Sequence, residues 1–205
     1  MNKSVSAADL GKFRNYLGRV AEIPDDEWAF FSHRLAGRQY RRQQFLIQAG
    51  AAVKDFYFIT RGLVRYFYLT EAGKEFNKAF AVENEFVGAL SATVLRAPCR
   101  YSVQALEETD VVVVPVEVIR DCYDRHPAWE RVGRWHAQSV AVKKELREGE
   151  FLLDSAQTRY RRLLSDYPAL LARVPQYHLA SYLGITEVSL SRIRSKIGLT
   201  KVNDR

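Results

Sequence analysis

Cysteine is scarce: the 205 residues contain two, Cys99 and Cys122, far apart in the chain. That argues against a disulfide framework or a thiolate-rich metal centre and leaves buried free thiols as the expectation. The four histidines, His33, His126, His136 and His178, show no close ligand spacing of the HExxH kind. They read as surface or packing residues, and the sequence asks for neither metal nor haem. There is no P-loop and no nucleophile elbow, so the chain does not read as an enzyme. No apolar run approaches the roughly 18–20 residues a membrane span requires, and the opening MNKSVSAADLGKF lacks the apolar centre of a signal peptide. The expectation is a cytoplasmic protein without membrane contact. Prolines number six, and 47% hydrophobic with 27% charged residues is a composition that packs cores.

Positive charge, by contrast, is concentrated. The net charge is +7. Residues 155–205 carry nine basic side chains (Arg159, Arg161, Arg162, Arg173, Arg192, Arg194, Lys196, Lys201, Arg205) against three acidic ones (Asp166, Glu187, Asp204), which leaves +1 for the remainder. A quarter of the chain holding nearly all the excess is the footprint of a module that neutralises phosphates; a solvated basic face is the plainer alternative.

From Leu10 to Leu35 apolar residues recur at helical spacing and predict two short helices, with Pro24-Asp25-Asp26 breaking the run and capping the second. From about Arg38 the pattern turns to short apolar segments between glycine turns: QFLIQAG, DFYFITRG, LVRYFYLTEAGKE, FNKAFAV, EFVGAL, YSVQAL and DVVVVPV. β-Branched and aromatic residues dominate them, Glu71-Ala72-Gly73 reads as a hairpin tip, and about seven such strands imply an antiparallel sandwich or barrel. A short helix follows at 118–123, then a long one from Pro127. On the long helix Val132, Trp135, Ser139, Val142, Leu146, Gly149 and Leu153 fall at alternating steps of three and four. That is a dimerisation seam of coiled-coil type with defects at Ser139 and Gly149, unless the helix simply packs on its own β domain. Helices are then predicted at 155–166, 176–183 and 187–196.

The stretch QYHLASYLGITEVSLSRI fits a helix-turn-helix position by position. Counting from Gln176, the fifth residue is Ala180, small where two helices cross, and the ninth is Gly184, where the turn asks for positive φ. Leu179, Leu183, Ile185, Leu190 and Ile193 supply the apolar contacts. The second helix would enter the major groove with Glu187, Val188, Ser189 and Arg192 toward base edges, while Thr186, which also caps this helix, Ser191, Arg194 and Lys196 meet phosphates.

In order, spacing and motif, from FLIQAG and YFITRGLVRYFY through EFVGAL and RYSVQALEET to LGITEVSLSRIR, the chain resembles the Crp-Fnr superfamily of dimeric bacterial regulators. The resemblance implies an α+β protein: an N-terminal antiparallel β-roll of double-stranded β-helix or jelly-roll type flanked by helices (residues 1–126), a long dimerisation helix (127–154), and a C-terminal winged-helix-like helix-turn-helix domain (155–205). It also implies a homodimer on double-stranded DNA, with RNA polymerase as a further partner and a small-molecule effector in the roll. The corresponding pocket residues are Gly88, Ala89, Leu90, Arg100 and Tyr101. Relatives that bind cyclic nucleotides carry Gly-Glu-Leu and Arg followed by Ser or Thr at these places; here the carboxylate is replaced by Ala89 and a tyrosine follows Arg100, so cyclic AMP is not the expected ligand. Relatives with an iron-sulfur cluster need four cysteines. Glu187-Val188 stands where many relatives have Pro-Glu, so a different half-site is expected, with Val188 toward a thymine methyl. Wing strands after the recognition helix are expected to be short or missing. The competing expectation is an effector-binding protein whose C-terminal helices meet a protein instead of DNA.

Overall fold

A computed structural model describes residues 2–198; the expectation that wing strands are short or missing, and two of the basic residues, Lys201 and Arg205, fall outside them. The elements in chain order are β1 (Asn2–Lys3), α1 (Ala7–Gly18), α2 (Asp25–Ser32), β2 (Ala36–Tyr40), β3 (Phe45–Ile47), β4 (Asp55–Arg61), β5 (Val64–Leu69), β6 (Glu75–Ala81), β7 (Phe86–Val87), α3 (Leu90–Val94), β8 (Ser102–Ala105) and β9 (Thr109–Pro115). Helices complete the chain: α4 (Val116–Tyr123), α5 (Pro127–Leu153), α6 (Ala156–Asp166), α7 (Leu170–Arg173), α8 (Gln176–Leu183) and α9 (Glu187–Lys196).

The strands form two antiparallel sheets, ordered β1-β2-β9-β4-β7 and β3-β8-β5-β6. Both faces of the first sheet are covered, which is why β4 and β9 read as continuous apolar runs instead of alternating ones. Val111 and Val113, with Tyr57 and Ile59, face the interior of the roll. Val112 and Val114, with Phe56 and Phe58, face outward onto α1, α2, α4 and the start of α5. On that outer side the Phe13 ring of α1 stacks on Phe58 at 4.5 Å between centroids.

Local chemistry sets most element ends. Ser6 caps α1 by accepting from the Asp9 N–H at 3.1 Å, and His126 does the same for α5 through Ala128 at 3.2 Å, with Pro127 in the first turn. The hairpin tip at Gly73 is as expected, with φ of 78° and its N–H donating to Thr70 O at 2.9 Å. Two expectations need correction, and one strand was not anticipated. Asp25 and Asp26 do not cap α2, whose cap residue is Pro24 with no side-chain bond; Asp25 pairs instead with Arg14. EFVGAL is a two-residue strand that gives way to α3, because the apolar stretch is too short to show its period. The polar-looking Ala36–Tyr40 is a strand, β2, paired along its length with β9.

The C-terminal helices build a third core from Tyr160, Leu163, Leu170, Leu179, Leu183 and Leu190. It is continuous with the β-roll, since Leu63 and Phe80 belong to the same cluster.

Candidate nucleic-acid interface

The turn between α8 and α9 is fixed by backbone chemistry. Gly184 takes φ of 70° and donates to Ser181 O at 3.2 Å, while Ile185 N–H reaches Ala180 O at 3.0 Å. These two bonds are the Schellman pattern, which requires a left-handed residue where glycine sits. A Cβ at Gly184 would meet the Phe151 ring of α5 at 2.8 Å, so the site excludes a side chain for two reasons. Thr186 then opens α9, its hydroxyl accepting from Ser189 N–H at 3.1 Å. Leu190 is wholly buried and Ile193 packs beside it, which turns Glu187, Val188, Ser191 and Arg192 outward. Val188 keeps 61% of its surface exposed, an apolar side chain left at the tip of a polar face. Ser189 is half-buried beside the cap, Arg194 is half-buried on the side toward Tyr160, and Lys196 is exposed.

The basic count of this segment divides into two sets. Arg162 pairs with Glu150 at 2.8 Å and Asp154 at 3.0 Å, and Arg173 pairs with Glu83 at 2.8 Å and Glu107 at 2.5 Å. Arg159 donates to Asp154 O at 2.7 Å and Leu183 O at 3.0 Å. Those three cations hold the fold. Arg161, Arg192, Arg194 and Lys196 have no ion pair among the described residues.

Two connections position α9, and neither was legible in the sequence. At the end of α5, Arg147 donates to Tyr182 O at 2.7 Å and lies over the Tyr182 ring at 3.8 Å, with Phe151 packed over the turn. At the roll, α8 lies on β6 through a buried polar network. Arg65 of β5 reaches Glu75 at 2.5 Å, Gln104 at 2.7 Å and His178 Nδ1 at 3.2 Å. Asn77 donates to His178 O at 3.1 Å, and its own N–H donates to Ser181 Oγ at 2.9 Å. Burial first, and then the Arg65 guanidinium, push the His178 imidazole down to about 4, so it is neutral and accepts at Nδ1. Burial alone would raise the Glu83 carboxyl, but hydrogen bonds from Arg173 and from Gly62 N–H bring it to about 2. Isolated charged residues on separate strands carry no periodic signal, so only the fold brings them together.

Residues 37–126 match the cyclic nucleotide-binding domain family. The transcriptional activator protein Anr of Pseudomonas aeruginosa is 26% identical, over 77% of this chain and 68% of its own. FixK2 of Bradyrhizobium japonicum superposes with a TM-score of 0.71 at 18% identity, covering 83% of this chain and 90% of that one. A protein of Eubacterium rectale described as a Crp/Fnr-family transcriptional regulator superposes with a TM-score of 0.68 at 13% identity, covering 92% and 91%. In fold, the chain is similar to these solved regulators.

Within the β-roll the expected effector residues are partly brought together. Tyr101 is buried among the interior residues with its ring 5.8 Å from Tyr66, and its hydroxyl donates to Gly88 O at 3.2 Å. Ala89 is buried in the same cluster, Leu90 faces the opposite side of the sheet, and Arg100 is exposed. Lys78 sits over the Tyr101 ring at 4.0 Å; burial, then Lys144, hold its ammonium down to about 8. On the long helix α5 the expected seam divides. Val132 packs on the helical side of the roll and Trp135 lies 5.9 Å from Tyr16, with Ser139 half-buried, whereas Val142 and Leu146 are exposed at 54% and 63%.

Proposed function

We propose that this transcription regulator binds double-stranded DNA sequence-specifically through α9, as a homodimer joined along the exposed half of the α5 seam. The observation that carries the reading is the face of α9. A rigid αL turn and a threonine cap present Glu187, Val188 and Arg192 outward, beside cations that no acid in the described chain neutralises. Arg192 can make a bidentate contact to guanine, Glu187 can accept from a cytosine amino group, and Val188 suits a thymine methyl. Ser191, Arg194 and Lys196 serve phosphates, and Thr186 and Ser189 are engaged in capping before any contact to DNA.

The roll is proposed to function without cyclic AMP. In support, the Tyr66 and Tyr101 rings are buried in its interior, Ala89 offers no carboxylate to a ribose, and Arg100 is exposed. Lys78 lies over the Tyr101 ring, so a cation is at hand, and the reading rests on the buried tyrosines and the missing carboxylate.

Selection from a random double-stranded pool, followed by anisotropy titration of the enriched sequence, tests the reading. The expected result is a two-fold symmetric site whose affinity falls steeply with salt. No retention of a mixed pool at low salt would sink it and favour a protein partner for the C-terminal helices.

A further inference from the structure

A cavity of about 340 Å³ opens outside the roll, between α1, α2, the outer face of the five-stranded sheet, α3, α4 and α5. Its walls are mostly aromatic and aliphatic, among them Phe13, Phe56, Phe86, Trp129, Val132 and Trp135. No aspartate or glutamate lines it, but Arg96 and Arg120 do, both exposed and without an ion pair among the described residues. Arg96 holds φ of 49° after α3, where Ala97 N–H returns to Ala92 O at 3.0 Å. That is a conformation glycine adopts freely and arginine does not, so the backbone is constrained at the point that carries the charge. His136 also lines the cavity, its ring edge against Phe86 at 5.1 Å and its nitrogens without a hydrogen bond among the described residues. Burial, then Lys143, keep it below its ordinary pKa and hence neutral.

An apolar, ring-lined space with a few polar groups at its edge is the usual form of a small-molecule site. At about 30 Å³ per water-sized unit, its volume holds about a dozen heavy atoms. We propose that this cavity binds an amphiphilic monoanion, with an aliphatic or aromatic body among the rings and a carboxylate or similar acidic head at Arg96 and Arg120. The charge asymmetry selects the head: two unpaired guanidiniums with no opposing acid favour an anion and disfavour an amine. The site is separate from the roll interior and from α9, and its occupancy does not depend on DNA binding.

Trp129 and Trp135, two of the three tryptophans, line the cavity and report on it directly. The full chain is titrated with decanoate and with decanol, without DNA, reading tryptophan emission and then heat by calorimetry. Decanoate is expected to give a saturable change and to bind at least tenfold more tightly than decanol. The double variant Arg96→Gln, Arg120→Gln, altered only at exposed positions, should bring that ratio near one while decanol still binds. Thr93→Phe, which fills the cavity, should reduce binding of both. The proposal is overturned if neither probe saturates, if wild type does not discriminate between them, or if the double variant keeps the preference. Undiminished binding by Thr93→Phe would place the ligand elsewhere and overturn it too.

Discussion

Replacing Arg194 and Arg162 by alanine, one at a time, separates two arginines that look equivalent in the sequence. Arg162 is spent on Glu150 and Asp154, whereas Arg194 on α9 has no ion pair among the described residues. With Arg192 assigned to a base edge, three uncommitted cations per protomer (Arg161, Arg194, Lys196) make six in a dimer, so log K should fall with log salt at a slope of about −5. If Arg159, Arg162 and Arg173 served phosphates as well, the slope would be about −11. Between 50 and 200 mM salt the first figure amounts to about three decades of affinity. Arg194→Ala removes two phosphate contacts per dimer and should flatten the slope by about 2, whereas Arg162→Ala should leave it unchanged. Fluorescence anisotropy on one selected duplex at four or five salt concentrations measures all three proteins. Equal flattening by both variants would refute the division of the charges, and a near-zero slope in wild type would refute DNA as the partner.

Arg192→Ala should relax base preference and cost about 1–3 kcal/mol on the preferred site, while Arg194→Ala weakens all sequences alike; random-pool selection with each variant distinguishes them. Gly184→Ala must hold a left-handed φ and push Phe151 aside, so a loss of about 2 kcal/mol or more is expected in denaturant unfolding. Leu146→Asp puts a charge into the exposed half of the seam and should shift the protein to monomer at micromolar concentration in light scattering, with DNA affinity falling along with it. His178 is neutral in the folded network, at about 4 against an ordinary 6.5, so its contribution is complete above pH 6.5 and is lost as pH falls toward 4. The loss is on the order of 2 kcal/mol, and His178→Asn, which keeps an acceptor near Arg65, should flatten the fall in melting temperature between pH 7 and 5. An unchanged profile would show that the imidazole does not titrate against folding.

The sequence revealed what is periodic or locally encoded. Helices α8 and α9 stand where Ala180, Gly184 and Thr186 placed them, because turn, cap and crossing are each decided within a few residues. The alternation hidden inside DVVVVPV was unreadable, since both of its faces are buried and both therefore look alike. Short elements between stronger signals, α3 and α7, carry too few residues to show a period. On the outer face of α9 and its surroundings, the residue types were visible but their availability was not. Whether an arginine is free depends on Glu83, Glu107, Glu150 and Asp154, which lie up to 90 positions away in the chain.

The clamp of Arg147 and Phe151 on the α8–α9 turn makes α5 a lever arm. The 22 residue steps from Trp129, which anchors one end, to Phe151, which grips the turn, span about 33 Å at about 1.5 Å each. A tilt of about 5° at the anchored end would therefore move the far end by about 3 Å. Because α8 is also tied to β6 through Arg65, Asn77 and His178, such a tilt has to open that buried network, and while the network is closed α9 keeps a fixed place relative to the roll.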